Sequence, residues 1–201
     1  HQTMKVFLGS ASPRRKDILS LFIKDFEILK PSADESVLEG ESPEFYSMRI
    51  GIEKCLACLS SINDNEFLLI TSDTIVALDD IILGKPKDDA DAAKTLKMLS
   101  GKTHRVISSL TLHYSENSEY RRDTQIETTF VKFNILSSSD IEAYMNNVNC
   151  MDKAGSYAIQ EMGSLIIDSI SGSHSSVVGF PSGLFFRMLA EMNIAGRLLS
   201  L

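Results

Sequence analysis

No apolar run in this 201-residue chain approaches the roughly 20 residues needed to cross a bilayer, so no spanning helix is expected. Positive charge is in deficit: 20 Lys and Arg stand against 27 Asp and Glu, a net charge of -7. That balance argues against a nucleic-acid binder that gains its affinity by neutralising phosphates. Cysteine is scarce. Cys55, Cys58 and Cys150 are an odd, sparse set, which fits a reducing, intracellular setting. The opening residues His1-Gln2-Thr3-Met4 show no basic segment followed by an apolar one, so no signal peptide is expected. Met4 reads as the natural start, residues 1–3 as an expression remnant, and the expected location is cytoplasmic.

Nucleotide-loop and hydrolase signatures are missing as well. There is no G-x-x-x-x-G-K-[ST] loop, no G-x-G-x-x-G turn, no H-E-x-x-H and no G-x-S-x-G elbow. His104, His113 and His174 are scattered without a matching Asp/Ser arrangement, which speaks against a triad. Cys55-x-x-Cys58 falls inside a helix-period pattern and has no second ligand pair, so two core thiols are expected rather than zinc or redox chemistry.

What is present is an α/β pattern over a length of one to one and a half typical domains, read as one domain over residues 4–201. At 43% hydrophobic residues the chain can bury a core without disulfides or metal. A short strand over 5–8 precedes Ser12-Pro13, an N-cap with proline at the first helical position. The same device at Ser42-Pro43 opens a helix whose apolar face is predicted at Phe45, Met48, Ile52, Cys55, Leu56 and Leu59. A continuous apolar run over 67–71 suits a buried central strand, and Asp79-Asp80 suits a hairpin turn. A helix over 89–99 follows, then long strands over 105–114 and 119–136. Ser139 is expected to cap the next helix, with a strand over 165–170 and a last helix over 184–192.

Four places carry charge or glycine where the fold alone does not need it. In Gly9-Ser10-Ala11-Ser12-Pro13-Arg14-Arg15, small residues lead from a strand end into a helix bearing two arginines. Such a segment binds anions through backbone N–H groups, the helix dipole and guanidinium forks, though a capped surface helix reads the same way. Asp34-Glu35 precedes the second helix, where acidic residues are commonly solvated. Ser72-Asp73-Thr74 follows the apolar run, and the carboxyl end of a central strand is where open α/β sheets place their sites. Gly84-Lys85-Pro86 follows the hairpin. Together these supply carboxylates and cations suited to a divalent metal and a polyphosphate.

With these segments in view, the sequence resembles the Maf family of nucleotide pyrophosphatases, related in architecture to the inosine triphosphate pyrophosphatase fold. The matching residues run in order along nearly the whole chain: 8–15, Asp34-Glu35, 72–76, 83–86, 99–104, 152–160, and Gly172 with 178–181. The resemblance implies a mixed, twisted central sheet flanked by helices, with two lobes and a cleft between them. It implies hydrolysis of a nucleoside triphosphate between its α and β phosphorus atoms, as a house-cleaning activity. By the same resemblance Asp73 is the catalytic carboxylate, Glu35 a second acidic group, and both hold Mg²⁺ or Mn²⁺. Lys85 joins the catalytic set, while Ser10, Arg14, Arg15, Lys54 and Thr74 bind the substrate and Gln160 reads its base.

Tyr157-Ala158-Ile159-Gln160 looks like the subgroup acting on dTTP and UTP. Glu161-Met162-Gly163 and Phe180 depart from that subgroup's usual residues. Gln can present both a donor and an acceptor to the imide edge of uracil or thymine, which glutamate cannot. The expected partner is the nucleotide alone, with no nucleic acid or membrane, and a homodimer is compatible with the resemblance. Two other readings stay open: a nucleotide-sensing regulator of cell division and septum formation, and an unrelated α/β phosphohydrolase.

Overall fold

The structure is a computed structural model describing residues 4–199, so the expectation for residues 1–3 lies outside it. Parallel pairing joins β2 (Glu27–Leu29) to β1 (Lys5–Gly9), and β1 to β3 (Phe67–Leu78). From there the sheet is antiparallel through β5 (Thr103–Glu116), β6 (Glu119–Phe133) and β7 (Ile167–Ser171), and β4 (Ile81–Leu83) pairs with β3. The sheet is therefore mixed, in the order β2-β1-β3-β5-β6-β7, with helices packed against it.

Two main apolar cores sit at opposite ends of the long strands. One gathers Leu8, Leu68, Ile70, Leu110 and Leu112 with α1 (Pro13–Ser20) and α7 (Ser182–Glu191). The other gathers Val76, Leu78, Val106, Val131 and Phe133 with α3 (Asp89–Leu99) and α4 (Ser138–Asn147). Between them the same strands turn polar: Ser72, Asp73, Ser108 and Ser109 are all buried. That break in the apolar pattern marks the cleft.

Asp73 lies within β3 rather than after it, because the strand continues into the expected hairpin. The rule about strand ends still applies in modified form. β3 pairs with β1 up to Thr71 and with β4 from Val76. Residues 72–75 thus have no strand partner on that edge among the described residues, and the open stretch lies beyond the carboxyl end of β1.

The helix α2 (Pro43–Leu59) begins at Ser42 as its sequence indicates, with the Ser42 hydroxyl accepting from Phe45 N–H. Its buried face differs from the expected one. Phe45 is 72% exposed and Leu56 is exposed, while Tyr46, Ser47, Ile50, Gly51, Cys55 and Cys58 are buried. The reason is the polar middle of the sheet. Ser47 donates to the Asp73 carbonyl at 3.2 Å, and Thr71 donates to the Gly51 carbonyl at 2.8 Å. A Cβ on Gly51 would stand 2.7 Å from Ser109 Oγ, so only glycine allows this approach.

Elsewhere the cap of α4 is Ser137, not Ser139, in a reciprocal box with Asp140. The expected strand over 165–170 starts later, after the short helix α5 (Gly163–Ile166). Cys55 and Cys58 pack as core thiols with Phe7, Phe67 and Leu69, and burial pushes the Cys55 thiol up to about 12. No helix among the described residues is long and apolar enough to cross a membrane.

Candidate active site

A cleft of about 450 Å³ opens beside the uncovered stretch of β3. Its walls carry all nine residues singled out from the sequence: Ser10, Arg14, Arg15, Glu35, Lys54, Asp73, Thr74, Lys85 and Gln160. They come from six separate segments of the chain, and only the fold brings them together. Five cations and three carboxylates line the cleft, a local positive excess in a chain of net charge -7. An anion is therefore attracted here against the overall charge.

Asp73 is the buried acid of the site, 5% exposed. Burial pushes its carboxyl above the usual carboxylate range, while the charges of Lys54 and Arg15 pull it back. Lys54 follows Gly51 by one helical turn, which places it at the cleft edge. Its Nζ lies 3.0 Å from Asp73 Oδ1 and 3.0 Å from Glu35 Oε1, so one ammonium joins the two carboxylates. Asp73 Oδ2 is buried and has no hydrogen-bond partner among the described residues. A buried carboxylate oxygen in that condition is costly until a ligand, a water or a cation meets it.

The acidic pair read from sequence divides here. Glu35 faces the cleft, whereas Asp34 Oδ1 accepts from Ser36 N–H and Oγ–H within its own turn.

The two arginines divide as well. Arg15 donates from Nε to the Gly179 carbonyl at 2.8 Å, from Nη2 to Thr74 Oγ1 at 3.1 Å, and from Nη1 to Ser10 Oγ at 3.3 Å. Burial lowers its pKa, with Asp73 acting against that shift. Arg15 thus joins three walls of the cleft. Arg14, beside it on the first turn of α1, makes no such bonds among the described residues and lies at the cleft surface. Thr74 Oγ1 also meets Ser108 Oγ at 2.8 Å, and Ser108 donates to the Ser176 carbonyl, extending the network into the core.

Lys85 is exposed and lines the cleft from the β4 exit, where Gly155 N–H donates to the Gly84 carbonyl at 3.2 Å. Gly155 has φ +66°, and a Cβ there would come within 2.8 Å of the Val76 side chain. Gln160 is exposed on the turn that follows. Tyr144 holds that segment by accepting from Ala158 N–H at 3.1 Å, and Tyr157 OH meets His104 Nε2 at 2.6 Å.

Two charged residues of the cleft, Asp152 and Lys153, were not singled out from the sequence. Lys153 lines the cleft with its side chain buried, 4% exposed, between Asp152 and Glu161. It lies inside the 152–160 segment that carries the resemblance, but nothing in that segment's composition marks its lysine as buried rather than solvated.

A mixed α/β sheet with a cationic cleft around one buried carboxylate suits a phosphate-bearing substrate. The chain belongs to the Maf family: the model of the Maf-like protein family matches residues 5–192. It is 42% identical over 178 residues to a dTTP/UTP pyrophosphatase of Clostridioides difficile, covering 89% of this chain and 90% of that protein. It is 41% identical over 197 residues to a dTTP/UTP pyrophosphatase of Shewanella oneidensis, covering 95% of this chain and 100% of that protein. A dTTP/UTP pyrophosphatase of Neisseria meningitidis is 41% identical over 192 residues, covering 93% of this chain and 94% of that protein.

Proposed function

We propose that this chain is a nucleoside triphosphate pyrophosphatase that converts dTTP and UTP to the monophosphate and pyrophosphate. The observation that carries the reading is Asp73: a buried carboxylate on a cationic cleft, with one oxygen on Lys54 and the other unpartnered among the described residues. The names borne by the relatives favour an enzyme over a nucleotide sensor.

In this mechanism Asp73 takes a proton from the attacking water. The water oxygen bonds to the α-phosphorus as the bond to the α–β bridging oxygen breaks, and pyrophosphate leaves. Burial makes the Asp73 carboxylate a stronger base, and Lys54 keeps it oriented. Arg14 and Lys85 meet the phosphate oxygens, while Arg15, with Ser10 and Thr74, holds the floor on which they rest. Gln160 faces the base.

The residues present also fit a divalent metal of the hard, oxygen-seeking kind. Glu35 and Asp73 would be the donors, and Asp73 Oδ2, unpartnered among the described residues, suits a cation. No cluster of three or more His, Cys, Asp or Glu suited to a metal exists among the described residues, so phosphate oxygens and water would complete the shell of Mg²⁺ or Mn²⁺. Such an ion, when bound, neutralises phosphate charge and stabilises the charge that develops during transfer. The test is pyrophosphate release from dTTP, present in the wild type and lost in a folded Asp73→Asn variant.

A further inference from the structure

The segment carrying Gln160 has little regular structure to hold it. It runs from the turn at 154–156 to the short helix α5, and Met162 takes the left-handed φ of +49° that side chains other than glycine rarely adopt. Backbone ladders do not fix such a turn, so side chains must. Two do. Upstream of Gln160, the Tyr144 hydroxyl accepts from Ala158 N–H. Immediately downstream, Glu161 Oε1 lies 3.5 Å from Lys153 Nζ.

Lys153 is an unusual anchor. Its side chain is 4% exposed, and Nζ donates to the Asn149 carbonyl at 2.7 Å and to Asp152 Oδ1 at 2.9 Å. These bonds fix the ammonium in place before Glu161 arrives. Burying an ammonium is costly, and each added carboxylate offsets part of that cost. Glu161 is half-exposed, so solvent weakens its pair with Lys153 without removing it.

We propose that Glu161, through its ion pair with the buried Lys153, is a positioning residue that orients Gln160 and so sets how sharply the cleft discriminates between nucleobases. The inference rests on the reading that Gln160 faces the base. Glu161 itself touches neither base nor phosphate in this account. Its effect is on the pose of the neighbouring amide, and a misplaced amide costs selectivity rather than phosphate contact.

The experiment compares kcat/KM for dTTP, UTP, CTP and GTP in the wild type, Glu161→Gln, Lys153→Met and the double variant, with Gln160→Glu alongside. Glu161→Gln should narrow the dTTP-to-GTP ratio about three- to tenfold, mainly through KM for dTTP. The double variant should narrow it no further than Lys153→Met, because one pair is being broken twice. A merely structural role would lower the melting temperature and scale all four nucleotides alike, and that result overturns the proposal. If Gln160→Glu changes the ratio and Glu161→Gln does not, the positioning role falls and the base-reading role stands. If neither changes it, both fall.

Discussion

Arg15 Nε donates to the Gly179 carbonyl at 2.8 Å, joining the first helix to a residue 164 positions later. The neighbouring Arg14 makes no such bonds among the described residues, and in the proposed function it meets the phosphates. The two arginines should therefore fail differently. Arg15→Ala removes three hydrogen bonds around a half-buried hub and should cost on the order of 1–3 kcal/mol. For a chain of this size that is a fall of roughly 2–10 °C in melting temperature, together with loss of activity. Arg14→Ala should leave the melting temperature within about 1 °C and raise KM. Equal thermal effects from both variants would contradict this division.

Acid sensitivity should trace to His104. Its ring is buried between Phe133 and Tyr157, and burial lowers its pKa to about 4 from an ordinary 6.5. The unfolded chain takes up this proton below about pH 6.5, while the folded protein resists it until about pH 4. Stability from this group is thus present at neutral pH and lost as pH falls through that window, on the order of 3 kcal/mol. His104→Gln should flatten the fall in melting temperature between pH 7 and pH 4.5 relative to the wild type. Parallel curves would remove His104 as the cause.

How far the sequence reached can be judged element by element. The caps at Ser12 and Ser42 were legible because capping is decided within four residues. The cap of α4 was not, since Ser137 with Asp140 and Ser139 with Glu142 both have the capping-box spacing and only the structure chooses Ser137. The buried face of α2 was not legible. It carries Ser47 and Gly51, whose burial depends on hydroxyls that β3 and β5 present from elsewhere in the chain. The three-residue β2 has no apolar alternation to announce it and only joins an existing edge. Of the site, every singled-out residue lines the cleft; all but Lys54 lie in the segments that carry the family resemblance. Lys153 escaped because its burial is made by Asn149, Asp152 and Glu161, three loop residues with no periodicity.

Activity should require a divalent cation that binds through oxygen. Excess chelator should abolish turnover, and Mg²⁺ or Mn²⁺ should restore it. Glu35→Gln should raise the metal concentration needed for half-maximal rate, since one of two donor carboxylates is lost. Full turnover in chelator would refute this.

Base selection should depend on the Gln160 amide. Gln160→Glu keeps an acceptor, removes the donor and adds a charge, which costs on the order of 1–3 kcal/mol in a closed site. Turnover of dTTP and UTP should fall about tenfold or more, measured as kcat/KM. Unchanged ratios across the four nucleotides would take Gln160 out of the recognition set.

The most direct measurement is product identification with dTTP and Mg²⁺, run in parallel on the wild type and on Asp73→Asn. The account predicts dTMP and pyrophosphate in equal amounts from the wild type. From the variant it predicts a rate lower by more than about a hundredfold with the fold intact by circular dichroism. Release of dTDP and orthophosphate, or near-normal turnover by Asp73→Asn, would contradict it.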